Sequence, residues 1–370
     1  MINIETFYHY LIENGLNFFV GVPDSLLKDF CAYVKDHTAR EHNIIAANEG
    51  NAVGIASGYY LSMGKPAIVY MQNSGIGNAL NPLVSLADQE VYSIPMLLVI
   101  GWRGEPDILD EPQHKKQGMI TLKLLETIGI EALILDDTSY VKQIDYCINY
   151  MKNNSKSIAL IVRKNTFSPY KTLNLADTFN LTREAALEII TQNLTDQDII
   201  ISSTGKASRE LFEIREKNKH SHAGDFLTVG SMGHTSSIAL GMSLFTDKNI
   251  YCIDGDGSFI MHMGAIAVSA DYAGGNYKYI IINNGAHESV GGQPTVGYKI
   301  SMPDILRGAG IINICEAFNE EQLISGMHFL KSHGMAAMIV YTKQGSRKDL
   351  GRPTITPIEN KHMIMERLKK

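Results

Sequence analysis

Asp256 stands between two glycines in the run Gly255-Asp256-Gly257-Ser258, and the adjacent pair Asn283-Asn284 begins after a further 25 residues beyond Gly257. Each motif follows a short apolar run of strand type, at 249–253 and 277–283. In a strand–helix–strand unit the two strands run parallel, about 5 Å apart when they are neighbours in the sheet. Asp256 and Asn284 would then face one crevice. A carboxylate oxygen, an amide oxygen and a nearby backbone carbonyl are hard donors that leave coordination positions open. Such a set suits Mg²⁺, whose octahedron is completed by phosphate oxygens. The N–H groups of Gly257 and Ser258 at a helix start favour an anion in the same place. Alone, Gly-Asp-Gly is equally a tight turn, and two asparagines say less still. The weight lies in finding one motif after each of two successive strands.

The elements that must position these residues recur along the whole chain. Apolar runs of strand type occur at 18–22, 44–47, 67–71, 96–100, 132–135 and 157–162, then at 198–202, 226–229, 249–253, 277–283, 311–315 and 336–341. Unbroken apolar runs suit strands buried on both faces, as in parallel sheets covered by helices. Helical stretches separate most of them, giving six βα-type units in each half. The expected fold is α/β, with two similar doubly wound parallel-sheet domains. Ligands of such sheets sit at the carboxyl ends of the strands. No G-x-G-x-x-G joins a strand to a helix, which argues against a dinucleotide site.

A length of 370 residues fits about two domains of roughly 150–200 residues each. The boundary is expected in the polar, proline-containing stretch 169–181, between domains at 1–168 and 182–370. Thr182 is a plausible N-cap for the helix that follows. With 33 basic against 39 acidic residues the net charge is −6, which argues against a broad nucleic-acid face. No run approaches the roughly 20 apolar residues of a membrane span. The N-terminal MINIETFYHYLIENG lacks the basic-then-apolar pattern of a signal peptide. Cys31, Cys147, Cys252 and Cys315 are never in C-x-x-C spacing. They are expected to be buried thiols of a reducing compartment, with no disulfide framework and no zinc site. A cytoplasmic protein acting on a small molecule is the expectation.

The paired Gly-Asp-Gly and Asn-Asn motifs resemble the signature of the thiamin diphosphate-dependent decarboxylase family. That resemblance implies thiamin diphosphate-binding domains without a middle domain, because 169–181 is too short to hold one. It makes the first domain the pyrimidine-binding type and the second the diphosphate-binding type, followed by a C-terminal arm. Asp256 and Asn284 become side-chain ligands of Mg²⁺, with the Ala286 carbonyl as the third. Gly257 and Ser258 meet the diphosphate, together with Thr204 and Ser208 in Thr204-Gly205-Lys206-Ala207-Ser208. Glu49, after the strand at 44–47, becomes the acid that activates the aminopyrimidine ring; taken alone, it is an acid favoured at a helix start. The Gly230 carbonyl would accept from the ring amino group, and Met232 would hold the cofactor bent, where the plainer reading is a core methionine. Because Glu49 and Asp256 lie in different domains, which related enzymes draw from different subunits, the resemblance implies a homo-oligomer of at least two chains.

Within that family the resemblance is to the phosphonopyruvate decarboxylases, with sulfopyruvate decarboxylases next. It is carried by GVPDSLLK (21–28), NEGNAVGIA (48–56), QNSGIGNALNPL (72–83), GWRGEPDILDEPQHKKQG (101–118), GSMGHTSSIALG (230–241), GDGSF (255–259), NNGAHESVGGQPT (283–295) and GSRKDLGRPTITP (345–357). The implied reaction is decarboxylation of 3-phosphonopyruvate to phosphonoacetaldehyde and CO₂, on the way to 2-aminoethylphosphonate. Sulfopyruvate is the alternative substrate, and a non-catalytic thiamin diphosphate-binding protein is the alternative of another class. Asp24 and His114 occupy places like the acid and imidazole of related decarboxylases. Asp24 also suits an N-cap of a helix at 25–35, and His114 a plain loop histidine. For the anionic 2-oxo acid, Lys115 and Lys116, the run Lys343, Arg347, Lys348, Arg352, and the polar Ser25, Asn73, Ser74 and His287 are candidates. The basic run also suits a solvated surface.

Overall fold

The computed structural model describes residues 1–171 and 178–369. Of the linker expected at 169–181, residues 172–177 lie outside the described residues. The chain divides into two compact units, Met1–Asn174 with Val290–Gln293, and Leu175–Ser289 with Pro294–Lys370.

In chain order the elements begin α1 (Ile4–Glu13), β1 (Phe19–Gly21), α2 (Lys28–His37), β2 (Asn43–Ile45), α3 (Glu49–Met63), β3 (Ala67–Gln72) and α4 (Ile76–Pro82). Next come β4 (Met96–Gly101), α5 (Pro112–Thr127), β5 (Glu131–Ile134), α6 (Tyr140–Asn154) and β6 (Ile158–Val162). The chain continues with α7 (Arg183–Gln192), β7 (Ile199–Ser202), α8 (Lys206–Lys217), β8 (Asp225–Leu227), α9 (Thr235–Ser243) and β9 (Ile250–Gly255). After these come α10 (Asp256–Met261), α11 (Ala265–Tyr272), β10 (Tyr277–Asn283) and the two-residue strands β11 (Ala286–His287) and β12 (Gln293–Pro294). Last are α12 (Met302–Gly308), β13 (Asn313–Ala317), α13 (Glu320–Ser332), β14 (Ala336–Tyr341) and α14 (Pro357–Lys369).

Two six-stranded sheets result, ordered β2-β1-β3-β4-β6-β5 and β8-β7-β9-β10-β14-β13. Counted within its own half, each has the order 2-1-3-4-6-5, and the strand pairs are parallel. The expected pair of similar doubly wound α/β domains is what forms. Both faces of each sheet are covered, so neighbours along a strand enter opposite cores. In the first sheet Phe19, Ile68, Tyr70, Leu97 and Val99 pack on one side. Val20, Val69, Met71, Leu98 and Ile100 pack on the other. The second sheet repeats this, with Ile200, Tyr251, Ile253 and Ile280 against one layer and Ile201, Cys252, Tyr279 and Ile281 against the other. Each such buried side chain contributes about 1.5–3 kcal/mol.

The strand expected at 311–315 forms two residues later, as β13. Thr182 caps α7 as expected, its side chain accepting from the Ala185 N–H. The N-cap reading of Asp24 is overturned: α2 starts at Lys28 with Leu27 at its N-cap position, so the helix expected from 25 begins three residues on. All four cysteines are free, and three are buried. No helix among the described residues is long and apolar enough to cross a membrane.

In both sheets the strand order reverses between the first and third strands of the unit. The carboxyl ends of β1 and β3, and of β7 and β9, therefore form the crevices where doubly wound sheets bind ligands.

Candidate active site

In the second unit β9 and β10 are parallel neighbours, with Gly255 level with Ile282. This register puts Asp256 beside Asn284, and the Asn284 backbone N–H reaches the Asp256 carboxyl. Asp256 is buried, and burial raises its pKa to about 6 against the pull of the Thr295 hydroxyl and the Gly257 N–H. Thr295 donates directly to Asp256 Oδ2. No Lys or Arg among the described residues forms an ion pair with this carboxylate. The Asn284 amide is oriented from both ends: Nδ2 donates to Glu288 Oε2 at 2.9 Å, and Oδ1 accepts from the Ala286 N–H at 3.1 Å. Asn283 has a different task, shaping the turn by donating to the Gly297 carbonyl at 2.8 Å and accepting from the Gly285 N–H at 3.1 Å.

Among the described residues no three His, Cys, Asp or Glu side chains cluster to hold a metal. The candidate set is instead one carboxylate with amide and carbonyl oxygens, from Asp256, Asn284 and Ala286. That chemistry fits a hard divalent cation sharing phosphate oxygens, which would supply the charge Asp256 lacks.

Gly257 provides a second test of fit. A Cβ there would lie 2.9 Å from the His287 ring and 3.3 Å from Met232 Cε. Met232 and the buried His287 thus converge on the bare backbone of α10's first turn, so that even a methyl there would force the His287 ring to shift. Burial pushes His287 down to about 4, so it is neutral at pH 7. Helix α10 has only six residues, and a phosphate would meet individual N–H groups more than a long helix dipole. The Ser258 hydroxyl accepts from the Gly233 N–H at 2.9 Å. Ser208 is buried and donates to the Ser203 carbonyl at 2.7 Å, tying α8 to the end of β7. Thr204 lies in the same turn, before Gly205. Gly230 is partly buried, two residues before Met232.

In the first unit Glu49 opens α3, behind an Asn48 cap whose side chain accepts from the Asn51 N–H at 2.9 Å. Its carboxylate is buried and accepts from Asn78 Nδ2 at 2.7 Å. A Cβ on Gly75 would overlap that carboxylate, so the 73–78 turn is moulded around it. Among the described residues the hydrogen-bond partner of this buried acid is a neutral amide.

At the carboxyl ends of β1, β3 and β4, Asp24 is fully buried and accepts from the Leu26 N–H at 2.9 Å. Burial pushes it up to about 6, opposed by that N–H and by the Arg103 charge. Arg103 donates from Nε to Asp110 at 2.8 Å, from Nη2 to the same carboxylate, and from Nη1 to Ser25 Oγ at 2.8 Å. His114 is buried on α5. Burial lowers it to about 4, with Arg103 adding to the effect. Its Nδ1 has no hydrogen-bond partner among the described residues. Arg103 and Asp110 were not expected from the sequence; the signal available was their place in GWRGEPDILDEP, between β4 and α5. Asn73 is spent on structure: it donates to the Arg103 carbonyl at 2.8 Å and to Thr121 Oγ1 at 2.9 Å, and accepts from the Arg103 N–H. Lys115 and Lys116 are exposed on α5.

In the second unit the C-terminal arm carries the basic run. Arg347 sits among Glu184, Glu213 and Asp349, donating to Glu184 at 2.9 Å and to Asp349 at 3.2 Å. Arg352 is exposed.

The two halves are thus doubly wound cofactor-type domains, one carrying a buried acid and the other a hard-oxygen, anion-friendly turn. Residues 4–124 match the thiamine pyrophosphate enzyme N-terminal TPP binding domain. Residues 203–331 match the C-terminal TPP binding domain. The chain belongs to this family; thiamine pyrophosphate is thiamin diphosphate. It is 29% identical over 367 residues to a phosphonopyruvate decarboxylase of Streptomyces viridochromogenes, covering 93% of this chain and 89% of that one. It is 28% identical over 344 residues to a sulfopyruvate decarboxylase of Methanosarcina acetivorans, covering 86% of each. A sulfopyruvate decarboxylase subunit beta of Methanococcus maripaludis is 32% identical over 190 residues, which cover 51% of this chain and 99% of the subunit.

Proposed function

We propose that this thiamin diphosphate-dependent 2-oxo acid decarboxylase converts 3-phosphonopyruvate to phosphonoacetaldehyde and CO₂, using Mg²⁺, as a step in phosphonate biosynthesis. The bond between carbonyl carbon and carboxylate breaks, CO₂ leaves, and the carbonyl carbon takes up a proton. The bound cofactor supplies the sink for the electron pair that the departing carboxylate leaves behind. Asp256, Asn284 and the Ala286 carbonyl hold the metal, and Gly257 gives the diphosphate a bare backbone to approach. Glu49 holds a proton for the aminopyrimidine end. Asp24, at the end of β1, and the neutral His114 serve proton positions on the substrate side. Arg103 supplies N–H donors and positive charge for the anionic tail, with Ser25 held against it.

The observation that carries this reading is the buried Asp256–Asn284 pair at adjacent strand ends, whose carboxylate forms no ion pair among the described residues. Likeness to phosphonopyruvate decarboxylases over 93% of the chain supports the choice of acid. The second reading, sulfopyruvate, rests on the relative from Methanosarcina acetivorans, which is likewise matched over most of its length. The two acids differ in tail charge, dianion against monoanion. Incubation with thiamin diphosphate, Mg²⁺ and each acid, with aldehyde formation compared as kcat/KM, separates them. Faster turnover of sulfopyruvate would reassign the substrate, and no turnover of either would withdraw the reaction. The reading further takes the protein as a cytoplasmic homo-oligomer of at least two chains, to be checked by sedimentation.

A further inference from the structure

We propose that Glu288 is a positioning residue for the metal site: held by Arg183 and Lys206, it grips the Asn284 amide so that the amide oxygen is presented to the cation. This rests on the reading of Asn284 as a metal ligand.

Four charged side chains meet beside that ligand. Arg183, the first residue of α7, donates from Nε and Nη2 to Glu210 at 2.6 and 2.7 Å, and from Nη1 to Glu288 Oε2 at 2.6 Å. Lys206, the first residue of α8, donates to Glu288 Oε1 at 3.0 Å. The side chains of Arg183, Glu210 and Glu288 are only 7%, 1% and 10% exposed. Two cations balance two carboxylates, the condition for burying such a group.

The same Oε2 that accepts from Arg183 also accepts from Asn284 Nδ2 at 2.9 Å. An ionised carboxylate only accepts hydrogen bonds, so it selects the NH₂ end of the amide and turns the carbonyl oxygen the other way. Without it only the Ala286 N–H, at 3.1 Å from Oδ1, would orient the amide, and an amide turned to offer NH₂ to the cation cannot bind it. Outer partners that orient a ligand are worth a substantial part of a metal's affinity. Loss of Glu288 leaves Arg183 paired with Glu210 and Lys206 partly exposed, so no buried charge is stranded.

The test measures Mg²⁺ affinity by calorimetry, and Mn²⁺ binding by paramagnetic resonance, on the full-length chain with thiamin diphosphate. Glu288→Ala should weaken Mg²⁺ binding about 10–100-fold, while Glu288→Gln, whose carbonyl oxygen can still accept from Asn284, stays close to the parent. In the Asn284→Ala background, Glu288→Ala should add nothing further, because its effect runs through Asn284. A residue that only stabilised the fold would lower Tm and act additively in this cycle. Unchanged Mg²⁺ affinity in Glu288→Ala, additive losses, or equal losses in the Gln and Ala variants would overturn the proposal. Should Glu288→Ala fail to fold, Glu288→Leu, which fills a similar space but cannot accept from the Asn284 amide, takes its place in the same cycle, with the same loss expected and unchanged affinity overturning the proposal. Unchanged affinity in Asn284→Ala alone would instead refute the underlying ligand assignment.

Discussion

Asn78 donates from Nδ2 to Glu49 Oε2 at 2.7 Å, joining the first turn of α4 to the first residue of α3 in a buried site. The bond is neutral on one side, so it orients the acid without neutralising it. Glu49→Gln keeps the shape and can keep the Asn78 contact through its own carbonyl oxygen. Turnover should fall by about 10²–10⁴-fold, the range of acid–base catalysis, while thiamin diphosphate still binds by calorimetry. Near-normal turnover would remove Glu49 from the mechanism. Gly75→Ala, whose methyl would overlap the carboxylate, should lower activity in the same direction.

Asp256 has Thr295 as its one side-chain donor and no cation partner among the described residues. Asp256→Ala removes the only carboxylate of the proposed ligand set. Mg²⁺ affinity should drop by more than the roughly 10–100-fold typical of an outer partner, and thiamin diphosphate affinity should drop with it. Stripping the parent protein with a chelator should abolish turnover, and added Mg²⁺ should restore it. Equal Mg²⁺ affinity in parent and variant would refute the assignment.

Much of this was legible in the sequence because the informative residues are local. Twelve strands showed as apolar runs because both faces of each sheet are buried, and the Asp256 and Asn284 motifs follow two of them directly. What escaped detection is held by partners distant in sequence. Thr295 reaches Asp256 across 39 positions, and Arg183 reaches Glu288 across 105. Nothing in the local pattern around 183 or 288 distinguishes a buried ion pair from a solvated one. The same limit explains Asn73, whose amide donates to the Arg103 carbonyl and to Thr121 Oγ1, 30 and 48 positions away. Arg347, expected over an anionic substrate, has three carboxylates around it instead.

The first unit carries two titrations of opposite sign. Asp24, raised to about 6 by burial, binds its proton more tightly folded than unfolded. Its contribution to stability is complete below about pH 4 and is lost as pH rises through 6. A shift of about two units corresponds to roughly 3 kcal/mol. His114, lowered to about 4, behaves in reverse: its contribution is complete above about pH 6.5 and is lost as pH falls through 4. The two slopes oppose each other between pH 4 and 6.5, so the parent should show a shallow profile there. Asp24→Asn should raise Tm at pH 8 and have little effect at pH 4, while losing turnover. His114→Asn should instead reduce the loss of stability on acidification. Tm measured across pH 4–8 for the three proteins checks both signs, and identical profiles would refute them.

Gly257 offers a test that leaves every charged group in place. An alanine methyl there would meet the His287 ring at 2.9 Å and Met232 Cε at 3.3 Å. The Met232 end can swing aside at small cost, but the His287 ring is buried and must shift bodily. Overpacking of this kind costs about 1–3 kcal/mol, so Gly257→Ala should fold with a lowered Tm. Because the shift displaces the His287 ring and Met232 beside the turn that the diphosphate would approach, thiamin diphosphate affinity should fall as well. Adding Met232→Ala makes room on one side only. It should recover part of the Tm without recovering cofactor affinity, since the His287 ring stays displaced and the methionine that shapes the cofactor is gone. Full recovery of cofactor binding in the double variant would show that the clash with Met232, and not the displaced His287 ring, had been responsible.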